Sequence, residues 1–567
     1  MSTNAHPQPP PPPQKMVAWY DPVQLCKTAI DVFISLVFGR HADYRLIEAL
    51  STSNSQNFYD YTQIEAQKEF WIDYVADLGD GWNSTYTVAY YISQPSLTVH
   101  DEDGSNYVTE RGSVLIFGGD SVYPVAGRSQ YKNRLVTPYT TALRETTEPH
   151  PDLYVIPGNH DWYDSLVNFT RLFCAKRWFA GWRTQQDRSY FAIKLPYHWW
   201  IIGADIQLSS EIDDMQIKYL KWVASQMNEQ DKVIICAAEP EWIYAKSYGD
   251  LDPEYNENNL AFLETVLFKN KVQMFLTGDL HHYRRHENPD KVQKIIAGGG
   301  GAFLHPTHGQ DVSVLPGNFN LKKSFPEPAI SRKLCWRNLA FLFLNPYFGI
   351  ITGLFYVLTN WSVKTDLSPY GLSDFGTVMS KVINEALKTP MGLFWIVAVI
   401  LGFIVFTDTH SRYYRIIAGT LHSISHLFAA FLLGWAAIVF CAYLGLPYDS
   451  TLQLLLTGVL IFIGGWIIGS CIMGIYLSLS LNGFGRHSNE AFSSLAIQDW
   501  KNFLRIKIEP TGEVTIYPIG VRKVPRKWKA KESNTAGPDL IPDDSKATAP
   551  ELIEKPIKLS GISRRIS

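Results

Sequence analysis

The sequence predicts an α/β domain over residues 16–330, then an all-α transmembrane region of about four helices over residues 335–482. Three observations carry this. Short apolar runs bounded by Gly or Pro recur through the first half, the pattern of buried strands. Several of those runs end in Asp, Asn, Glu or His, at the strand ends where α/β folds gather ligand-binding groups. Near residue 335 the composition changes to long apolar stretches with few charges.

The chain has 567 residues, enough for more than one domain. Its net charge of −3 gives no bulk basic field, so nucleic acid is not an expected partner and an anionic substrate must be drawn by local charge. The six cysteines, Cys26, Cys174, Cys236, Cys335, Cys441 and Cys471, form no C-x-x-C pair, which argues against a zinc knuckle or a disulfide framework. Dispersed thiols on apolar runs suit a reducing compartment. Residues 1–15, MSTNAHPQPPPPPQK, read as a disordered Pro-rich tail without the basic start and apolar run of a signal peptide.

The four candidate spans are Trp336–Leu358, Met391–Thr407, Ile416–Leu444 and Leu452–Leu481. A spanning helix needs ~20 mostly apolar residues. Buried helices of a large soluble domain are the competing reading, but such helices rarely lack a polar face at this length. In the fourth span, Gly465 and Gly469, then Ser470 and Gly474, suit close helix packing. Arg332, Lys333 and Arg337 precede the first span, Arg412 and Arg415 lie between the second and third, and Arg486 follows the fourth. The loop 445–450 has no Lys or Arg, while the loop between the first two spans is longer and holds Lys364, Lys381 and Lys388. This balance puts both termini in the cytoplasm. The expected protein is therefore integral to the lipid bilayer and multi-pass, with a cytoplasmic α/β domain.

Residues 483–530 read as a small cytoplasmic α+β segment, with a hairpin of Phe503–Glu509 and Glu513–Tyr517 around Pro510-Thr511-Gly512. Residues 531–567 read as a disordered tail. Cys26–Val37 is apolar but too short to span, and reads as core or as an interfacial helix.

The chemistry-bearing residues lie where apolar runs stop. Phe70–Ala76 leads to Asp77 and Asp80; Val114–Phe117 to Gly118-Gly119-Asp120 and Tyr123; Leu153–Ile156 to Gly158-Asn159-His160-Asp161. Val233–Ala238 leads to Glu239-Pro240, and Val272–Leu276 to Gly278-Asp279-Leu280-His281. Five such strands would converge their oxygen and nitrogen donors on one sheet edge, an arrangement packing alone does not call for.

Over residues 68–310 these motifs resemble the calcineurin-like metallophosphoesterase superfamily, with Gly158-Asn159-His160-Asp161 matching its G-N-H-[D/E]. The first two motifs resemble the purple acid phosphatase variant: Asp77-Leu78-Gly79 is the D-x-G form, and Gly119-Asp120-Ser121-Val122-Tyr123 matches G-D-x-x-Y. The resemblance implies a four-layer sandwich of two stacked β-sheets flanked by helices, with two metals at the strand ends. One metal would be held by Asp77, Asp120, Tyr123 and His281, with Tyr123 either a ligand or an aromatic wall. The second would share Asp120 and take Asn159. Asp80 is an alternative to Asp77.

Two positions depart from the family. Glu239 stands where a His usually precedes Pro, and Asp279 replaces the first His of the final G-H-x-H. The second site would then be Asp120, Asn159, Glu239 and Asp279, all oxygen donors, which suit Mn²⁺ or Mg²⁺, with Fe or Zn as alternatives. Four carboxylates match the charge of two divalent ions; a degenerate second site is the other reading.

The function implied is hydrolysis of a phosphoester by a dinuclear centre and a metal-bound hydroxide, on a lipid-linked or membrane-proximal substrate. His160 would protonate the leaving oxygen or stabilise the transition state, with Asp161 holding its orientation. The alternative function is a non-catalytic metal-binding membrane receptor or scaffold. Arg128, Arg183, Arg188, Arg284 and Arg285 are candidate phosphate contacts or solvated loop residues. Gly298–Gly301 permits close backbone approach, and His305 and His308 are pocket or surface histidines. Arg486–Glu490 reads as a helix cap and solvated turn, the favoured reading, or as a segment that approaches the catalytic domain or lipid head groups.

Overall fold

A computed structural model of the protein describes residues 13–38, 57–63, 67–144, 150–206, 212–248, 259–362, 374–407, 411–531 and 537–560. Two sheets stack face to face. In the first, Phe70–Val75, Val114–Gly118 and Asp152–Ile156 run parallel and adjacent. In the second, Trp199–Gly203, Lys232–Cys236, Val272–Thr277 and Gln293–Ala297 are parallel neighbours. Tyr283–Glu287 and Phe319–Phe325 extend the second sheet antiparallel. The parallel strands are buried along almost their whole length, which is why they read as continuous apolar runs.

Side chains alternate between two cores. Ile72, Tyr74, Ile116 and Ile156 of the first sheet meet Ile201, Ile234, Met274 and Leu276 of the second. The opposite faces pack outward: Val75, Phe117 and Val155 against Tyr86, Ala89 and Tyr139, and Trp200, Ile235 and Phe275 against Tyr219, Leu220 and Leu260. The layers are helix, sheet, sheet, helix. The expected strand ends are present, but they do not share one sheet edge. Asp77, Asp120 and Asn159 follow strands of the first sheet, while Glu239, Asp279 and His281 follow strands of the second.

The C-terminal boundaries drawn from the sequence need correction. The hairpin forms, as Lys501–Ile508 and Val514–Val521, but it is not a separate segment. Lys501–Ile508 pairs antiparallel with Phe70–Val75, inside the first sheet. Glu551–Leu552 and Ile557–Leu559 then pair with Val514–Val521, so the expected disordered tail supplies edge strands. The physical reason is that Phe503, Leu504, Ile506 and Ile508 are all without solvent exposure, a burial on both faces that an isolated hairpin cannot provide. Residues 532–536 and 561–567 of that tail lie outside the described residues, as do residues 1–12 at the other end. Order begins before the expected boundary at 16, since the Gln14 carbonyl accepts from the Trp82 amide at 2.9 Å.

Two helices, Arg412–Tyr443 and Thr451–Phe484, are long and apolar enough to cross a membrane. The other two expected spans belong to bent pairs. Pro328–Leu344 and Phe348–Ser362 meet at 68°, and Phe375–Lys388 and Pro390–Phe406 at 99°. The first expected span, Trp336–Leu358, is therefore not one helix. Pro346 and Pro390 lack the amide that a continuous helix needs at those breaks. The small residues of the last helix lie against neighbours: a Cβ on Gly469 would stand 2.5 Å from Thr352, and one on Gly474 would stand 2.1 Å from the Asn338 carbonyl. Cys26–Val37 lies in the helix Pro22–Phe38, and its Cys26, Ile30 and Phe33 are exposed, so at these positions it is not core.

The helical region and the α/β domain share a core, in which Met16, Tyr20 and Leu304 pack with Phe341, Leu477, Leu481 and Phe492. Asn338 donates to the Ala491 carbonyl at 2.8 Å. Leu304 donates to the Ile497 carbonyl at 3.0 Å.

Candidate metal centre

Each parallel strand ends by turning sharply, and the donors sit on the turns. Asp77, Asp120 and Asp279 take left-handed backbone with φ of 58°, 45° and 63°, a conformation that costs a non-glycine residue on the order of 1 kcal/mol or more. Close-packed glycines make room around them. A Cβ on Gly298 would stand 2.2 Å from Asp77 Oδ2, and one on Gly158 would stand 2.1 Å from Asp120 Oδ1.

The Tyr123 hydroxyl is the meeting point. It lies 3.0 Å from Asp120 Oδ2, 3.2 Å from Asp77 Oδ1 and 2.9 Å from His281 Nε2. His281 Nε2 is 4.0 Å from Asp77 Oδ1. His281 turns Nδ1 to the Phe303 carbonyl at 2.7 Å, which fixes the ring and leaves Nε2 facing the cluster, the usual setting of a ligating imidazole. Burial, with the stacked His305 ring 3.8 Å away, holds His281 neutral.

The other donors adjoin this group. The Asp279 amide donates to Asp77 Oδ1 at 3.0 Å, and the Tyr244 hydroxyl contacts the Asp279 carboxylate. Burial, then mutual repulsion, pushes the carboxyls of Asp77 and Glu239 well above the usual range. The same causes push Asp279 up to about 6, and burial does so for Asp120. Buried carboxylates that repel in this way are relieved by cations. Among the described residues no three His, Cys, Asp or Glu side chains already stand at metal-ligand spacing; the Tyr123 hydroxyl occupies the space between them. Asp77 Oδ2 and Asn159 Oδ1 are buried with no hydrogen-bond partner. Orphaned oxygens, glycine clearance and unneutralised carboxylates together fit divalent metal.

Asp80 faces away from this group. Its Oδ1 accepts from the Val17 amide at 2.7 Å and lies 3.7 Å from Arg134. Asp161 also differs from expectation. Its Oδ2 accepts from the amides of Ser121 at 3.0 Å and Gly158 at 2.9 Å, and Tyr131 donates to its other oxygen. It ties two loops together and leaves the His160 ring to the Pro124 carbonyl, 2.7 Å from Nδ1. The reason is local. Asp161 is the third residue of the short helix Asn159–Trp162, so its carboxylate folds back onto the free amide at the helix start. Trp19, Tyr123 and Tyr163 surround the His160 ring.

Tyr131, Tyr244 and Trp19 were not legible as site residues, because an aromatic on a loop or helix carries no local signal of what it faces. Of the candidate arginines, Arg284 and Arg285 lie on a strand rather than a loop. Arg285 makes a two-pronged contact with Glu554, while Arg188 pairs with Asp187. Arg128 is exposed. Of the two readings of Arg486–Glu490, the solvated turn gives way to the approach to the α/β domain. His487 does cap the helix Ser488–Ser493, but Ser488 and Asn489 line a cavity of about 280 Å³ that also borders Asp279 and His305. A cavity of about 540 Å³ lies far from the donors, in the helical region among Trp361, Met379, Trp435 and Leu454.

The family of calcineurin-like phosphoesterases matches residues 70–283. No curated protein matches the chain in sequence. Among solved structures, GAP50, the anchor in the inner membrane complex of Plasmodium, is 12% identical, with 45% of this chain and 79% of that one covered at a TM-score of 0.32. The purple acid phosphatase PPD1 from yellow lupin seeds is 13% identical, covering 44% of this chain and 47% of its own, at 0.31. A dimetal phosphatase from Danio rerio is 12% identical, covering 41% and 88%, at 0.21. It is the sequence match, rather than these partial superpositions, that bears on class. The match of residues 70–283 to the calcineurin-like phosphoesterases, a family that typically uses two divalent metals, supports a metal-dependent phosphoester hydrolase.

Proposed function

We propose that this protein is a membrane-anchored phosphoesterase whose dinuclear centre is held by Asp77, Asp120, Tyr123 and His281 on one side and by Asp120, Asn159, Glu239 and Asp279 on the other. The observation that carries the reading is the convergence of Asp77, Asp120 and His281 on one buried hydroxyl, at 2.9–3.2 Å. The oxygen-only second set favours Mn²⁺ or Mg²⁺. When bound, such a pair activates water and neutralises charge on the phosphoryl oxygens.

The chain's own groups do the rest. His160 donates Nδ1–H to the Pro124 carbonyl, so its Nε2 is the nitrogen left to hold and pass a proton to the leaving oxygen. Burial lowers the proton affinity of this ring, which eases release. Asp161 fixes the loops that carry Asp120 and His160. Trp19 and Tyr163 restrict water around the imidazole.

Membrane anchoring rests on the two long apolar helices and on an exposed apolar surface, where Phe343 is 80% and Trp361 74% exposed. The flanking Arg residues favour a cytoplasmic catalytic domain. A substrate at or near the inner membrane face follows from that placement. The test is hydrolysis of 4-nitrophenyl phosphate by the full chain in detergent with Mn²⁺. Activity lost on chelation, restored by Mn²⁺ and lost again in Asp120→Asn is expected. Activity indifferent to chelator and to Asp120→Asn would refute the reading.

A further inference from the structure

The cavity beside Asp279 has a wall that the centre does not use. Arg284 lines it while only 6% exposed. Its Nη2 donates to the Thr307 carbonyl at 3.0 Å, and its Nε has no partner. Among the described residues no carboxylate forms an ion pair with it, in contrast to Arg285 on the same strand, which meets Glu554 and Glu287. Beside it lies His282, 1% exposed, whose ring nitrogens make no hydrogen bond within normal geometry. The cavity is also lined by Ser488 and Asn489, the first residues of the short helix Ser488–Ser493 that follows the last long helix.

An unpaired buried guanidinium is costly, and an anion entering beside it removes the cost. The planar fork suits a phosphate better than a point charge does. About 280 Å³ admits a phosphate together with a few carbon atoms. We propose that Arg284, with His282 and the side chains of Ser488 and Asn489, forms an anion subsite beside the metal centre, and that the preferred substrate carries a second phosphate on its leaving group. This rests on the phosphoesterase reading above. The phosphoester at the metals is the one cleaved, with water adding to phosphorus and the alcohol leaving; the second phosphate is bound and not cut. The second phosphate could belong to a soluble molecule or to a lipid headgroup, since the subsite is closed by chain emerging from the last long helix.

The experiment compares three substrates with the full chain in Mn²⁺: glycerol 1-phosphate, glycerol 1,3-bisphosphate, and phosphatidylglycerol phosphate in phosphatidylcholine vesicles. Calorimetry of the two soluble compounds supplies affinities that do not depend on turnover. A bisphosphate preference that falls about tenfold or more in Arg284→Gln, and is partly kept in Arg284→Lys, is expected, as for loss of a charged hydrogen bond. If Arg284→Gln does not fold, Asn489→Asp is the second variant; its position is exposed and it adds a repelling charge, so it should also lower the preference. Preference for the vesicle or for the soluble compound assigns the source, and either supports the subsite. Equal use and equal affinity for mono- and bisphosphate overturn it. So does a preference that survives both variants. Hydrolysis of 4-nitrophenyl phosphate separates the two ideas: with that activity intact, only the subsite falls.

Discussion

Arg505 Nε lies 3.2 Å from Asp73 Oδ1, and neither side chain has any solvent exposure. Asp73 is on the strand that leads to Asp77, and Arg505 is on the hairpin that follows the last long helix. The guanidinium also donates to the carbonyls of Ile92, Gln94 and Thr109, while Asp73 Oδ2 accepts from the Gly112 amide. Strands on either side of the helical region in sequence are thus joined by a polar group set in the middle of a sheet. Arg505→Met leaves those carbonyls without their donor and Asp73 with the Gly112 amide but no countercharge, and should cost about 3–5 kcal/mol. Asp73→Asn should cost less, since the guanidinium keeps its carbonyls. Denaturant unfolding of the purified protein, read by tryptophan fluorescence, would show the order; equal losses would contradict it.

The same pair predicts a pH slope. Burial pushes Asp73 up to about 6, against its ordinary 3.8. Between these values the folded chain holds a proton on Asp73 that the unfolded chain has released. The Asp73 contribution to stability therefore declines as pH rises through about 4 to 6 and is level above. Asp73→Asn should remove that part of the slope, measured as the wild-type minus variant difference in unfolding midpoint across this range.

The hairpin should be indispensable to the catalytic domain. Phe503, Leu504, Ile506, Ile508, Val514, Ile516 and Ile519 are fully buried in it. At about 1.5–3 kcal/mol for each such side chain, their combined loss of about 10–21 kcal/mol matches or exceeds the usual stability of about 5–15 kcal/mol. A chain ending at residue 498 should therefore fail to give a folded phosphoesterase domain, and residues 16–330 alone should fail likewise. Protease resistance of the domain in either truncation would contradict this.

The strand ends were legible because each signal is local: an apolar run, a turn, a donor. The partner of the hairpin was not, because strand pairing between distant segments leaves no mark in either segment beyond its apolar pattern. Asp161 shows a second limit. Adjacency to His160 suggested an orienting contact, yet the free amide at the Asn159–Trp162 helix start competes for the carboxylate and wins. The bends at Pro346 and Pro390 were visible as residues, but hydropathy averaged over each window hid them.

Asp161 and His160 should separate by experiment. Asp161→Asn should lower stability by about 1–3 kcal/mol, since it disturbs buried bonds to Ser121, Gly158 and Tyr131. His160→Asn should leave metal content intact and slow turnover by about 10²–10⁴-fold. The loss should be larger for an alkyl phosphate than for 4-nitrophenyl phosphate, whose leaving oxygen needs less help from a proton. Equal losses on both substrates would remove the proton-donor role.

Tyr123 should matter to the metals as well as to the fold. Tyr123→Phe removes the hydroxyl that meets Asp77, Asp120 and His281. Manganese affinity, read by competition with a chelator, should weaken about tenfold or more. Unchanged affinity would make Tyr123 a wall of the pocket and not a ligand.

The most direct test is the metal count of the full-length protein, purified, loaded with Mn²⁺, freed of excess ion and measured by mass spectrometry. The account predicts two ions per chain, about one in Glu239→Ala, and none retained when Asp120→Asn removes the shared ligand. A wild-type chain that holds no ion would contradict it.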